Sequence, residues 1–291
     1  GRTTYKVTVR PGLRDTFGQV LERPATGSIQ VGKAQPVLFA EQNSWSVADP
    51  AYPDKLTVFS VNRPTLRVRL YQVQPKDWNA YLQFRSEWDQ NQQLISPPGK
   101  LVLDRVIKTA NVPDDLVETQ VDLSPALVEG RGQVIAVVEP GTPPKPDRWG
   151  YIEREWVRSW VQVTSLGLNA VWDQDTLHGW ATSLEDGSPL QGVTLELPGT
   201  STRATTTEDG LARLPLKSSS PLLVARLGRD LAFLPKREYS YSSDEFSPEY
   251  PSDSDRWLLF TDRGLYKPGE RVNAKGWVRR VGGGRGGDVQ P

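Results

Sequence analysis

Apolar side chains in this chain recur at every second position. Tyr5, Val7 and Val9 alternate with Lys6, Thr8 and Arg10. Leu66, Val68 and Leu70 alternate with Arg67, Arg69 and Tyr71, and Val193, Leu195 and Leu197 with Thr194 and Glu196. Near the end, Val272, Ala274, Gly276 and Val278 alternate with Arg271, Asn273, Lys275, Trp277 and Arg279. Successive residues of an extended chain point to opposite faces, so this period specifies strands with one face on a core and one in water. Turn dipeptides separate the runs: Pro11-Gly12, Pro98-Gly99, Asp209-Gly210 and Pro268-Gly269. Pro presets φ for the first central turn residue, and Gly accepts positive φ at the second. Such a chain is all-β, a series of small Ig-like sandwiches. One short helical insertion is expected where Pro75 opens a segment whose Trp78, Tyr81, Leu82, Phe84 and Trp88 fall mostly on one helical face.

A chain of 291 residues is long for one domain and suggests two to three. Residues 1–33 read as the end of a sandwich: a strand at Tyr5 to Val9, a turn in which Asp15 and Gly18 bracket Phe17 as a buried plug, and a last strand around Ser28 to Val31. Residues 34–165 read as a full β domain. Its strands are Leu56 to Val61, Leu66 to Leu70, Leu101 to Ile107, Leu116 to Leu123, Gln133 to Val138 and Trp156 to Val163. The Gln133 run is apolar on both faces and is therefore expected at the centre of a sheet. Residues 166–240 read as a second, smaller sandwich, with Asp209-Gly210 as a hairpin signal. Residues 241–255 mix Ser, Asp, Glu, Pro and Tyr without periodicity and read as a linker. From 256 to 291 a further domain begins and is incomplete.

Chemistry-bearing clusters are scarce. Formal net charge is zero, with no basic excess for nucleic acid. The chain has no cysteine, which excludes disulfides, thiolate metal sites and a Cys nucleophile. It has no methionine, even at position 1, and reads as an excised piece of a longer protein. The single histidine, His178, lacks the Ser or Cys partner a catalytic base needs and reads as structural. Asp244, Glu245, Asp253 and Asp255 could offer oxygens to calcium, but lack the spacing and glycine of a calcium loop; a solvated acidic linker is the plainer reading. The Trp-rich stretches at Trp78 to Trp88 and Trp149 to Trp160 could stack sugars, but Trp at such spacing more often packs in a core. Gly282 to Gly287, with Arg285, has no strand and helix around it and reads as a hairpin tip rather than a phosphate loop. Glu153-Arg154-Glu155 and Lys236-Arg237-Glu238 read as solvated charge. No cofactor and no metal is expected, and nothing marks an enzyme.

The sharpest string is Phe260-Thr261-Asp262-Arg263-Gly264-Leu265-Tyr266-Lys267-Pro268-Gly269-Glu270, followed by a strand carrying Lys275-Gly276-Trp277-Val278-Arg279. It resembles the opening of the macroglobulin-like domains of bacterial alpha-2-macroglobulins, with Thr261, Asp262, Arg263, Gly264, Tyr266, Pro268, Gly269, Lys275 and Gly276 as the motif residues. The turn Gly187-Ser188-Pro189-Leu190 with Thr207-Glu208-Asp209-Gly210 resembles other sandwiches of the same family. Tyr5 to Gly18 is similar to the end of a bacterial Ig-like module. The resemblance implies tandem macroglobulin-like sandwiches at 34–165 and 166–240 and a third beginning at 256. It implies a structural segment of a broad-spectrum endopeptidase inhibitor, a bacterial envelope or periplasmic lipoprotein that traps proteases after they cut a bait segment. The implied partners are proteases, met through the full-length parent, and other domains of the same chain. A lipid on an N-terminus not included here would anchor it to the membrane. Without cysteine this piece cannot hold the family's thioester. The rival readings are an Ig-like stalk of a surface adhesin and a carbohydrate-binding accessory region.

Overall fold

A computed structural model describes residues 2–41, 44–52, 55–86, 96–143, 145, 148, 155–173, 176–215, 220, 222–236, 253–282 and 289–290. The chain divides into two compact units, residues 1–164 and 165–291.

The first unit opens with an antiparallel ribbon, β1 (Thr3–Val9) and β2 (Ala25–Val31), in which Tyr5 lies opposite Ile29 and Val9 opposite Ala25. The connection between them is shaped by Asp15, whose Oδ1 accepts bonds from the amides of Phe17 and Gln19, both at 2.9 Å. The expected plug is absent: Phe17 is 88% exposed. An Asx turn needs only backbone and carboxylate, so it forms without burying the residue it encloses.

A sandwich follows. Its smaller sheet orders β3 (Val37–Phe39), β5 (Lys55–Val61) and β8 (Val117–Asp122) as β3-β5-β8. Its larger sheet contains β4 (Trp45–Ala48), β6 (Thr65–Val73), β7 (Lys100–Lys108), β9 (Gly132–Pro140) and β10 (Val157–Val163), ordered β4-β10-β9-β6-β7. Among the described residues the β4–β10 pair is parallel and the other pairs of these two sheets are antiparallel. Leu38, Leu56, Val58 and Val121 from the small sheet meet Leu66, Val68, Leu70, Val134, Ala136, Val138, Val157 and Val161 from the large one. Burying each such side chain contributes about 1.5–3 kcal/mol. β9 is central, as its two-sided apolar run requires.

The insertion predicted from Pro75 is present: a 3-10 turn at Pro75–Asp77 runs into α1 (Trp78–Ser86), whose Trp78, Tyr81 and Phe84 are buried. Gln74 and Asp77 bond each other's backbone in a capping box. The rings of Trp78 and Tyr81 stand 5.5 and 5.3 Å from that of Trp160, edge-on. The helix thus covers the face of the large sheet opposite the sandwich core. Tyr71 was expected outside with Arg67 and Arg69 and does lie on their side of the sheet, opposite Ile135 and with its hydroxyl 3.4 Å from Arg69 Nη1, but it is buried because that face is covered there. The irregularity between β6 and β7 is taken up by one extra residue on β7, Val102, so β6 keeps its alternation; what a period-two reading cannot foresee is the cover over its second face. Trp88 and much of the loops after α1 and after Gly141 lie outside the described residues.

The second unit holds another sandwich. One sheet orders β11 (Leu166–Asp173), β12 (Thr176–Ser183) and β15 (Leu211–Pro215); the other orders β14 (Arg203–Thr205), β13 (Thr194–Glu196), β16 (Leu222–Leu227) and β17 (Asp230–Pro235). The two sheets meet closely at Gly179, where a Cβ would fall 2.3 Å from Leu195 Cδ1. Asp209-Gly210 does not make the expected hairpin. It passes the chain from β14 in one sheet to β15 in the other. Gly210 takes φ +74°, and a Cβ there would lie 2.5 Å from the Ala181 carbonyl oxygen. The turn chemistry was legible, but the strands on either side prefer different partners.

Last come β18 (Ser254–Thr261), β19 (Ala274–Val281) and β20 (Val289–Gln290), an antiparallel sheet in the order β18-β19-β20. Arg271 to Asn273 were expected within the strand and instead precede it. The sheet is all-β like the rest of the chain, and its apolar residues Trp257, Leu258 and Leu259 are exposed.

Candidate functional site

The motif residues 261–276 occupy the connection from β18 to β19. Thr261 and Ala274 face each other as the last ladder pair, and the Asp262 amide donates to the Asn273 carbonyl at 3.0 Å, closing the loop. Lys267-Pro268-Gly269-Glu270 is a type II turn: Gly269 has φ +87° and the Glu270 amide donates to the Lys267 carbonyl at 3.1 Å. The Glu270 carboxylate returns to accept from the Lys267 amide at 3.1 Å.

Around this turn the polar side chains converge on Asp262. The Tyr266 hydroxyl donates to Asp262 Oδ1 and accepts from the Arg263 amide at 3.1 Å. Asn273 Nδ2 donates to Asp262 Oδ2 at 3.4 Å. The Tyr266 hydroxyl, with help from Asn273, holds the Asp262 carboxyl below the usual carboxylate range. The Arg263 guanidinium lies 5.0 Å from the Tyr266 ring centre and 3.5 Å from Glu270. Thr261 Oγ1 donates to the Arg263 carbonyl at 2.6 Å. On β19, Lys275 Nζ stands 5.5 Å from the Trp277 ring, which packs 5.4 Å from Phe260. Such an arrangement fixes the path and the charge of a loop, since its hydrogen bonds join groups of the loop to one another. It brings together Thr261, Asp262, Arg263, Tyr266, Pro268 and Gly269.

Two glycines of the motif differ. A Cβ on Gly276 would lie 2.7 Å from the Leu258 carbonyl oxygen, so the neighbouring strand itself requires glycine there. Gly264 has open space around it and no positive φ, so neither sterics nor backbone conformation requires glycine there.

The other candidates fall elsewhere. His178 lies on β12 between Val171 and Arg213, with no carboxylate directly opposite. Asp255 pairs with Arg280 at 3.2 Å, while Asp244 and Glu245 lie outside the described residues. Among the described residues no three His, Cys, Asp or Glu side chains gather as a metal site would need. Trp78 and Trp160 are buried core, not a sugar platform. Gly283 to Gly287, and Glu153 and Arg154, lie outside the described residues. Two supposedly solvated charges are engaged: Glu155 takes Arg63 in a fork at 2.7 and 3.1 Å, and Lys236 lies 5.6 Å from the Trp172 ring.

Two polar clusters had escaped the reading of the sequence. On the helix-covered face of β9 and β10, Trp160 Nε1 donates to Gln133 Oε1 at 2.9 Å and Gln133 Nε2 to Gln162 Oε1 at 3.1 Å, all buried. Beside them the Tyr81 hydroxyl donates to the carbonyls of Ser44 and Arg158, and burial pushes its phenol well above the usual range. The Arg158 guanidinium lies 4.4 Å from the Trp156 ring and donates to the Phe84 carbonyl at 3.0 Å; burial pulls its pKa down. The signal for this cluster was the placement of Gln133, Arg158 and Gln162 in otherwise apolar strands. The second cluster joins Asn62 and Asp114, whose only signal was that Asn and Asp tolerate the left-handed region.

No family model matches the chain. The Alpha-2-macroglobulin of Escherichia coli (strain K12) is 25% identical over 249 residues, covering 78% of this chain and 14% of that protein. The Circularly permutated Ras protein 2 of Dictyostelium discoideum is 28% identical over 152 residues, 42% of this chain and 4% of that protein. The chain therefore spans at most about a seventh of the length of these relatives. Among solved structures, native alpha-2-macroglobulin from Escherichia coli spanning domains MG0-NIE-MG1 matches with a TM-score of 0.52 at 18% identity, over 81% of this chain and 75% of that one. In fold, and distantly in sequence, the chain resembles the N-terminal region of bacterial alpha-2-macroglobulins.

Proposed function

We propose that this chain is a structural segment of a bacterial alpha-2-macroglobulin-like protein, and that the parent inhibits endopeptidases by trapping them after bait cleavage. The observation that carries this reading is the likeness, in fold and distantly in sequence, to the N-terminal region of the Escherichia coli protein over about four-fifths of the chain. In this reading 1–33 closes a preceding Ig-like module, 34–165 and 166–240 are macroglobulin-like sandwiches joined by a linker at 241–255 to a third, and 256–291 begins that third domain. The division between the two compact units at Thr164 supports the boundary after the first sandwich. Thr261, Asp262, Arg263, Gly264, Tyr266, Pro268, Gly269, Lys275 and Gly276 serve as the structural opening of the third domain, since their bonds are spent on shaping the β18–β19 loop.

The segment itself is a scaffold rather than an enzyme or an inhibitor in isolation. Thioester chemistry would have to come from elsewhere in the parent, because this chain has no cysteine. Proteases are partners of the parent, and its place is the bacterial periplasm or envelope, with a lipid anchor at an N-terminus outside this sequence. The test uses the full-length parent with two unrelated proteases. Loss of activity on a large protein substrate, with a small peptide still cleaved, is the expected sign of entrapment. Unchanged activity on both substrates overturns the reading and favours a surface stalk.

A further inference from the structure

We infer that one face of the β18–β19 ladder is the seat of an extended acidic segment of polypeptide, with carboxylates four residues apart and an apolar side chain midway between them. Ladder pairing puts Arg256 with Arg279, then Leu258 with Trp277, then Phe260 with Lys275 on this face. All six are exposed. Arg256 and Arg279 lie directly opposite each other, and two like charges so placed weaken a ladder unless an anion answers them. Among the described residues neither they nor Lys275 has a carboxylate within salt-bridge distance. One step along, on the opposite face, Asp255 and Arg280 are also ladder partners and neutralise each other at 3.2 Å. Asp262, just past the Thr261 end of the ladder, is already held by Tyr266 and Asn273. Among the described residues of the two strands, unanswered positive charge is therefore confined to one face.

Between the cations the surface is apolar. Leu258 is 62% exposed, the Phe260 and Trp277 rings lean on each other at 5.4 Å, and Lys275 Nζ stands 5.5 Å from the indole. Trp, Phe and Arg together are the composition of the centre of a protein–protein interface. Arg256 and Phe260 are four residues apart, about 13 Å along the strand, which is the span from i to i+4 in an extended peptide laid beside it. A carboxylate at i meets the arginine pair, an apolar side chain at i+2 covers Leu258 and Trp277, and a carboxylate at i+4 meets Lys275. A basic partner is repelled. A bilayer suits the strip less well, because two rings packed on each other and each more than half covered make a flat surface and not a protruding wedge. The inference rests on the proposed reading of 256–291 as the opening of a further domain, whose core takes the opposite face with Trp257, Leu259 and Val278. The protease assay and the titration below use different samples, so either can fail without the other.

The test is a chemical-shift titration of the whole chain with three peptides: acetyl-Glu-Thr-Leu-Thr-Glu-amide, its uncharged counterpart acetyl-Gln-Thr-Leu-Thr-Gln-amide, and acetyl-Thr-Glu-Leu-Glu-Thr-amide, whose acids point away from the leucine. Saturable shifts at the Trp277 indole and at Arg256, Lys275 and Arg279 are expected with the first peptide, fading as salt is added, and much weaker binding with the other two. Arg256→Gln with Arg279→Gln should weaken the first peptide about tenfold. That double variant removes a like-charge pair, so the ladder should form at least as well, and the amide spectrum of β18 and β19 checks it. Equal binding of the uncharged peptide, undiminished binding in the double variant, or shifts confined to Trp257, Leu259 and Val278 overturn the inference. Sedimentation of the chain with phosphatidylglycerol vesicles, lost in the double variant and unmatched by any peptide binding, overturns the assignment to a polypeptide in favour of an anionic membrane surface.

Discussion

Asn62 and Asp114 bond each other in both directions: the Asp114 amide donates to Asn62 Oδ1 at 2.9 Å, and Asn62 Nδ2 donates to Asp114 Oδ1 at 3.0 Å. Both residues hold positive φ, 51° and 61°. The same pair ties in a third segment, since Asn62 Nδ2 also reaches the Ala34 carbonyl and Asp114 Oδ1 accepts from the Ala34 amide, both at 2.9 Å. Arg2 completes the set at 2.8 Å from Asp114 Oδ2. The β5–β6 turn, the β7–β8 connection and the exit of the β1–β2 ribbon are thereby pinned at one point.

Asn62→Ala removes the donor and the acceptor together and places a Cβ-only residue in the left-handed region. A loss of about 1–3 kcal/mol is expected. Thermal melts of the variant against the parent chain check it, and an unchanged midpoint shows that the knot does not matter to stability.

Asp114 also makes the fold acid-sensitive. Its bond from Asn62, foremost, holds its carboxyl below the usual range. A folded value below the unfolded one gives stability that is present above the unfolded pKa of about 3.9 and is lost as pH falls through the folded value. Asp114→Asn should therefore lower the melting midpoint at neutral pH and converge on the parent chain once pH has fallen below the unfolded pKa and through the lower folded one. Parallel curves across that window would contradict this. Asp104 and Asp122, also held low, give both proteins a shared background of acid loss.

Tyr266→Phe takes from Asp262 the first cause of its lowered pKa. The Asp262 carboxyl should titrate nearer its ordinary value, and the Arg263 amide should exchange faster with solvent. Side-chain carboxyl NMR reads the first and amide exchange the second. If neither moves, the Tyr266 hydroxyl is not what shapes the loop.

Of the motif glycines, Gly276 and Gly264 separate cleanly. Gly276→Ala pushes a methyl onto the Leu258 carbonyl and should open the β18–β19 ladder, at a cost of about 1–3 kcal/mol in local protection. Gly264→Val meets open space and should stay within about 0.5 kcal/mol of the parent. Amide exchange along β18 measures both.

Adjacent residues on β6 differ even more. Val68 is 1% exposed, so Val68→Asp buries a charge with no counterion and should cost roughly 3–5 kcal/mol, enough to unfold its sandwich. Arg67→Ala removes a surface fork to Asp104 worth at most about 1 kcal/mol. A folded, soluble Val68→Asp protein would show that β6 presents its other face to the core.

Much of the fold could be read without coordinates. Period-two alternation placed β1, β6, β13 and β19 because a strand's two faces are set by chain geometry alone. Pro75 and the aromatic spacing after it marked α1, and Pro268-Gly269 specified its turn, because these signals are local. The site motif was visible as a string, yet which of its glycines is indispensable was not: Gly264 and Gly276 look alike until the neighbouring strand is in place.

What sequence alone determined here was therefore the kind of element and the chemistry of its turns. Tertiary structure decided the partnerships. Asp209-Gly210 makes its turn as its residues dictate, but β14 and β15 go to different sheets because β14 pairs with the strand just before it, β13, while β15 pairs with β12, much earlier in the chain. Tyr71 keeps the alternation of β6 but is buried because its face of the sheet is covered there, and Phe17 stays outside because nothing among the described residues packs over it. Gln133, Gln162 and Trp160 can be buried together only because the fold brings each the others' hydrogen-bonding groups. Pairing, bulges and polar burial depend on residues distant in sequence, and no local pattern encodes that distance.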